Sequence, residues 1–191
     1  MKIIYGLPTP ETFEAAERGE GVLGGGCISG INPTRHCNAC EKDFGGGNRF
    51  SLVDMISFEL FIGGFSGTSD SIYIDAKQKN KVVRYATTPG GMHVDLKQPK
   101  SELNLNPHMV FKEIPLTSKK WLAFIEELTS LKLACWKDNY YDNDICDGTQ
   151  WELVIRLPDH NEINKCGSNE YSPGWNKFIK IIKKYVDQKI W

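Results

Sequence analysis

The chain has little of what most quickly assigns a function. A membrane-spanning helix needs a run of about 18 apolar residues, and none occurs anywhere in the sequence. The opening "MKIIYGLPTP" has three consecutive apolar residues before Gly6 and Pro8, too few for the core of a secretory signal. The expectation is a cytoplasmic protein without a membrane segment, kept in a reducing environment. Charge is nearly balanced, with 23 Lys and Arg against 24 Asp and Glu and a net charge of −1. That balance removes any bulk electrostatic case for nucleic acid, an anionic membrane or a strongly charged partner. No G-x-S-x-G elbow, Walker loop, H-E-x-x-H helix or kinase signature is present. His93 and His108 stand alone in loop-like surroundings, as surface histidines do. Internal repeats and low-complexity linkers are also missing.

The composition that remains, 40% hydrophobic and 25% charged over 191 residues, suits a globular chain. It fits one ordinary domain, or a small module joined to a compact one. A first helix is marked by Thr9 as cap, Pro10 at the first helical position, Glu11 near the positive helix start and Gly19 at the stop. The passage that follows holds Gly24–Gly26 and Gly45–Gly47; it is turn-rich, carries little apolar surface and needs a staple to hold a shape. From Phe50 the texture becomes strand-like. "FSLVDMISFELFIGGF" and "DSIYIDAKQKNKVVRYATT" read as strands, the second a hairpin turning at Lys77–Asn80 with Ile72, Ile74, Val83 and Tyr85 near one face. "PGGMHVDLKQPKSELNLNP" reads as a loop. An amphipathic helix starts after Thr117 with Trp121, Ile125 and Leu128 on one face. "GTQWELVIRL" and "NEINKCGSN" form a second hairpin. The last helix has Ser172 as cap, Pro173 at its start, and Trp175, Phe178, Ile179, Ile182, Tyr185 and Val186 at i, i+3, i+4, i+7 spacing. The expected fold class is α+β: a largely antiparallel sheet with two packed helices, preceded by a small helix and a zinc-ribbon-like segment. The expected boundary separates residues 1–47 from 48–191.

Six cysteines stand at positions 27, 37, 40, 135, 146 and 166. In a reducing compartment they read as thiols or metal ligands before disulfides. In "RHCNACEKDF", Cys37 and Cys40 have the C-x-x-C spacing at which two thiolates in a tight turn face one ion, with Zn–S distances near ~2.3 Å. Cys27 stands ten residues earlier, after Gly24–Gly26. Three ligands, Cys27, Cys37 and Cys40, are therefore assigned to a structural Zn²⁺. The fourth is open among His36, Cys146, His160, Cys166 and water. A redox pair is the least favoured reading, because thioredoxin-like pairs open a helix after a strand and glycine runs flank this one. Unmetallated thiols in a loop are the alternative to the metal site.

"WKDNYYDNDICDGTQWEL" gathers Asp138, Asp142, Asp144 and Asp147. From Asp142 the EF-hand pattern fails, with Cys146, Asp147 and Leu153 at its fifth, sixth and twelfth positions. A hard-metal, nuclease-like cluster and an Asp/Asn/Gly turn leading into a strand with Trp151, Leu153 and Ile155 in the core both remain. "GSNEYSPGW" reads either as a binding loop exposing Ser168, Asn169 and Tyr171 or as a strand-to-helix turn. Lys177, Lys180, Lys183, Lys184 and Lys189 give the last helix a cationic side, either solvated or a nucleic-acid contact.

"YGLPTPETFEAAERGEGVLGGGC", "HCNAC" and "DGTQWEL…GSNEYSPGWNKF" resemble segments of a bacterial protein family of unknown function. Its members carry an N-terminal C-x-x-C zinc-ribbon-like segment and tend to continue it as C-x-x-C-G. Glu41 stands here where that glycine would be. The resemblance implies a bacterial, cytoplasmic setting and supplies no reaction. The reading that follows is a non-enzymatic binding or adaptor protein whose partner is another protein. The alternatives are a metal-dependent hydrolase or nuclease using Asp138–Asp147, and a nucleic-acid binder using the ribbon and the lysine-rich helix.

Overall fold

The structure, a computed structural model, describes residues 1–25, 32–39, 41–44, 52–64, 67–103, 107–142, 144, 147–158, 160–188 and 190. The chain divides into two compact units, Met1–Ser51 and Leu52–Trp191.

The first unit is built from β1 (Lys2–Ile4), α1 (Pro10–Glu17), β2 (Gly21–Leu23), β3 (Arg35–Cys37) and β4 (Lys42–Phe44). Its sheet runs β2-β1-β3-β4, with β1 and β2 parallel on either side of α1 and the other pairs antiparallel. The expected start of α1 is correct in its backbone. Thr9 is extended at the cap and its carbonyl accepts from the Thr12 and Phe13 amides, while Gly19 takes φ +73° past the end. The Thr9 hydroxyl, however, lies 3.1 Å from the Thr12 hydroxyl instead of accepting from a helix amide. α1 buries no residue completely, and among the described residues of the unit the buried apolar side chain is Ile3 of β1.

The second unit is a seven-stranded sheet: β5 (Ser57–Gly64), β6 (Thr68–Asp75), β7 (Lys81–Pro89), β8 (Val110–Leu116), β9 (Asn139–Tyr141), β10 (Thr149–Arg156) and β11 (Glu162–Ser168). Its order is β8-β7-β6-β5-β10-β11-β9, antiparallel except for the β9–β11 pair. α2 (Ser118–Ser130) and α3 (Trp175–Val186) complete it. Side chains alternate across a strand, and the register turns that alternation into one apolar layer. Phe58, Leu60 and Ile62 of β5 face Ile74, Ile72 and Asp70 of β6 on one side and Ile155, Leu153 and Trp151 of β10 on the other. The two helices cover this layer: the Phe124 ring lies 5.6 Å from Phe58 and 4.9 Å from Tyr185, both edge-on. The opposite face is covered over β6 and β7 by the segment after β7, where Leu96 and Leu103 bury against Ala86 with Tyr73 and Phe111.

The α+β architecture, both hairpins and the helix faces follow the sequence pattern. All six periodic positions of α3 are buried, together with Ile181. On α2 the buried residues are Phe124, Ile125 and Leu128, with Trp121 half-buried. Four elements of the second unit differ from expectation. The strand expected from Phe50 begins at Ser57 after a short 3₁₀ turn at Leu52–Asp54, because Met55 and Leu52 bury in a turn before the sheet begins. β8 and β9 were not anticipated: both are edge strands, and β8 keeps most residues exposed, so neither shows a buried stripe. α3 starts at Trp175 instead of Pro173; Gly174 is its cap, and the Ser172 hydroxyl accepts from the Gly174 amide at 3.2 Å. Among the described residues no helix is long and apolar enough to cross a membrane.

Candidate metal centre

β3 is held on its inner side by β1. The Ile3 amide donates to the Thr34 carbonyl at 3.0 Å, the His36 amide to the Met1 carbonyl at 2.8 Å, and the terminal amine to the His36 carbonyl at 2.5 Å. On its outer side it pairs with β4, with Arg35 opposite Phe44, His36 opposite Asp43 and Cys37 opposite Lys42. Around the motif, Cys37 closes β3, Asn38 and Ala39 form a turn, and Glu41 leads into β4. That setting differs from the helix start at which a thioredoxin-type redox pair sits. Glu41 has φ +52°, the left-handed conformation that favours glycine.

Cys37 is a half-buried thiol. Cys27 and Cys40 lie outside the described residues, as does Cys146. Among the described residues no group of three His, Cys, Asp or Glu is placed to hold a metal. The other fourth-ligand candidates have visible roles. His36 Nδ1 lies 2.7 Å from Asp43 Oδ1, and strand alternation turns it to the face opposite Cys37. His160 sits in the turn between β10 and β11 at φ +59°, beside an open cavity of about 410 Å³ that Arg156 and Glu162 also line. The Cys166 thiol donates to Asn139 Oδ1 at 3.1 Å and lies 3.6 Å from the Tyr141 hydroxyl; that contact, more than burial, holds the Tyr141 phenol above its usual pKa. His160 and Cys166 belong to the second unit, Cys37 to the first.

The acidic segment is divided by β9. Asp138 precedes the strand and Asp142 follows it, which at ~3.3 Å per residue separates their backbones by roughly 13 Å. Asp138 accepts from the buried Lys165 ammonium at 2.5 Å. Asp142 accepts from the Asp144 amide at 3.0 Å, closing a local turn. His93 packs edge-on against Phe61 with ring centroids 5.1 Å apart, and His108 is exposed. "GSNEYSPGW" is the strand-to-helix connection. The Asn169 amide donates to the Thr149 carbonyl, Asn169 has φ +61°, and Trp151 Nε1 donates to the Glu170 carbonyl at 2.9 Å. Of the α3 lysines, Lys184 pairs with Glu127 at 2.5 Å and Lys177 reaches the Ser130 hydroxyl at 3.2 Å.

Two groupings were not read from the sequence. Inside the helix-covered layer the Tyr85 hydroxyl donates to Asp70 Oδ1 at 2.7 Å, with Tyr85 2% and Asp70 4% exposed. Burial first, and the Asp70 carboxylate second, push the Tyr85 phenol well above its usual pKa. The second is a lysine-rimmed groove between α2 and α3, whose one sequence signal is a Lys-Lys pair in the first turn of a helix. No protein-family model, no curated protein and no solved structure matches this chain.

Proposed function

We propose that the protein is a bacterial, cytoplasmic, non-enzymatic binding or adaptor protein whose first unit is ordered by a structural zinc ion. Cys27, Cys37 and Cys40 supply three ligands. The observation that carries this reading is the left-handed Glu41 immediately after the C-x-x-C turn. A residue in that conformation lets the chain reverse straight into β4 after the second cysteine, and it is the position at which the family that this chain resembles has glycine. Burial supports a structural ion: among the described residues of the unit Ile3 is the buried apolar side chain, and where apolar burial is small, ligand binding becomes folding free energy. The adaptor reading draws support from the local roles of two carboxylates of the acidic segment: Asp142 closes a turn and Asp138 pairs with Lys165.

Elemental analysis of purified, freshly reduced protein tests the zinc site. The wild type is expected to carry stoichiometric zinc and the Cys37→Ser/Cys40→Ser variant to lose it. Metal-free wild-type protein prepared without chelator sinks the assignment.

A further inference from the structure

α2 and α3 pack side by side with the start of α2 near the end of α3, and between them lies an open groove of about 390 Å³. Its floor is apolar, made by Leu116, Ala123 and the ring of Tyr185, while Lys119, Lys120 and Lys184 line it as well. Lys184 is matched by Glu127. Lys119 and Lys120 are exposed, and among the described residues neither ammonium has an ion-pair partner. Their position runs against local physics. A helix start carries partial positive charge, so carboxylates are favoured there and cations disfavoured. The first turn of α2 contains no acidic residue and two lysines. A sequence that breaks a local rule beside an apolar groove is the pattern of a functional surface.

We infer that this groove docks a short acidic segment of a partner protein. One bulky apolar side chain of that segment seats on Leu116, Ala123 and Tyr185, and its flanking carboxylates meet Lys119, Lys120 and the positive end of α2. The proposal names the partner class of the adaptor reading and rests on it, but not on the zinc site. Charge complementarity selects this occupant. Phosphate recognition favours arginine forks or unclaimed amides at a helix start; no arginine lines the groove, and the Lys120 amide already donates to the Thr117 hydroxyl at 3.2 Å. A single strand of nucleic acid wants a row of aromatic faces to stack successive bases on, whereas Tyr185 is the one aromatic among the described residues lining the groove.

The test uses the full-length, zinc-replete chain and a fluorescent peptide bearing a Leu-Phe pair flanked by glutamates, followed by anisotropy. Binding is expected that weakens with added salt. It should fall about tenfold or more in Lys119→Glu/Lys120→Glu, and to the same extent when Ser replaces Leu-Phe in the peptide. The double variant should also melt at a higher temperature than wild type, since glutamates suit the first turn. Loss of binding together with a gain in stability separates docking from a structural role. Absence of binding, unchanged binding in the double variant, or equal competition by an oligothymidine or by phosphatidylserine vesicles overturns the proposal. None of these outcomes touches the zinc analysis, which reads a different unit.

Discussion

Asp70 and Tyr85 lie on adjacent β6 and β7, one and two strands from the central β5, both facing the layer that the helices cover. A carboxylate placed there needs a donor, because an unpaired buried acceptor costs about 1–3 kcal/mol. Tyr85 supplies it. The sign of the pH dependence follows from which state holds the proton. An unfolded tyrosine ionises near pH ~10, whereas folded Tyr85 keeps its proton to higher pH. The folded state therefore binds more protons above pH ~10, and stability present below that pH is lost as pH rises. Burial raises Tyr73 and Tyr185 in the same direction. Tyr85→Phe is expected to lower stability by about 1–2 kcal/mol at neutral pH and to flatten the alkaline decline, both measured by urea unfolding across pH. An unchanged slope above pH ~10 would assign the decline to other groups. Nothing in the alternation of "DSIYID" and "KVVRYATT" signals this pair, since only the register sets Asp70 within reach of a tyrosine on the next strand.

At the scale of elements, the β10–β11 hairpin and the start of α3 are locked by one indole. Trp151 stacks on Trp175 with centroids 4.5 Å apart and covers Gly167 so closely that a Cβ added there would lie 2.4 Å from Nε1 and 2.7 Å from the Glu170 carbonyl oxygen. That close approach explains the glycine in "CGSNEY" better than any turn does. Gly167→Ala forces the indole and its hydrogen bond apart, and a loss of about 1–3 kcal/mol is expected, with a red-shifted tryptophan emission as water reaches Trp151. Wild-type stability in that variant would mean the strand shifts without cost. α3 itself was fully legible, since its 3.6-residue stripe coincides with its buried face. Its first turn was not. Ser172-Pro173 is a standard helix-start signal, yet here Ser172 closes a turn onto Gly174 and Gly174, packed against Trp136, becomes the cap.

At the scale of the whole molecule, the division into Met1–Ser51 and Leu52–Trp191 separates the unit that holds the C-x-x-C motif from the seven-stranded sheet. If zinc orders the first, chelation should act on it alone. Hydrogen exchange with and without EDTA is expected to show loss of protection at the Ile3 and His36 amides, which the β1–β3 pairing holds, while β5, β10 and α3 amides keep theirs. Equal loss throughout both units, or none in the first, would count against metal-dependent order confined to residues 1–51.

Sequence alone determined the class of the fold, both hairpins, and the faces of α2 and α3, because burial on one side of a regular element imprints a period on the residues. It also located the C-x-x-C pair, since the spacing of two cysteines is a local property. Tertiary structure decided what depends on residues far apart in the chain. Register made Asp70 and Tyr85 a pair, the β3–β4 hairpin gave Glu41 its left-handed backbone, and the packing of α2 on α3 turned two lysines with no evident role into the rim of an apolar groove. Such juxtapositions arise from strand pairing and helix docking, which no local period encodes.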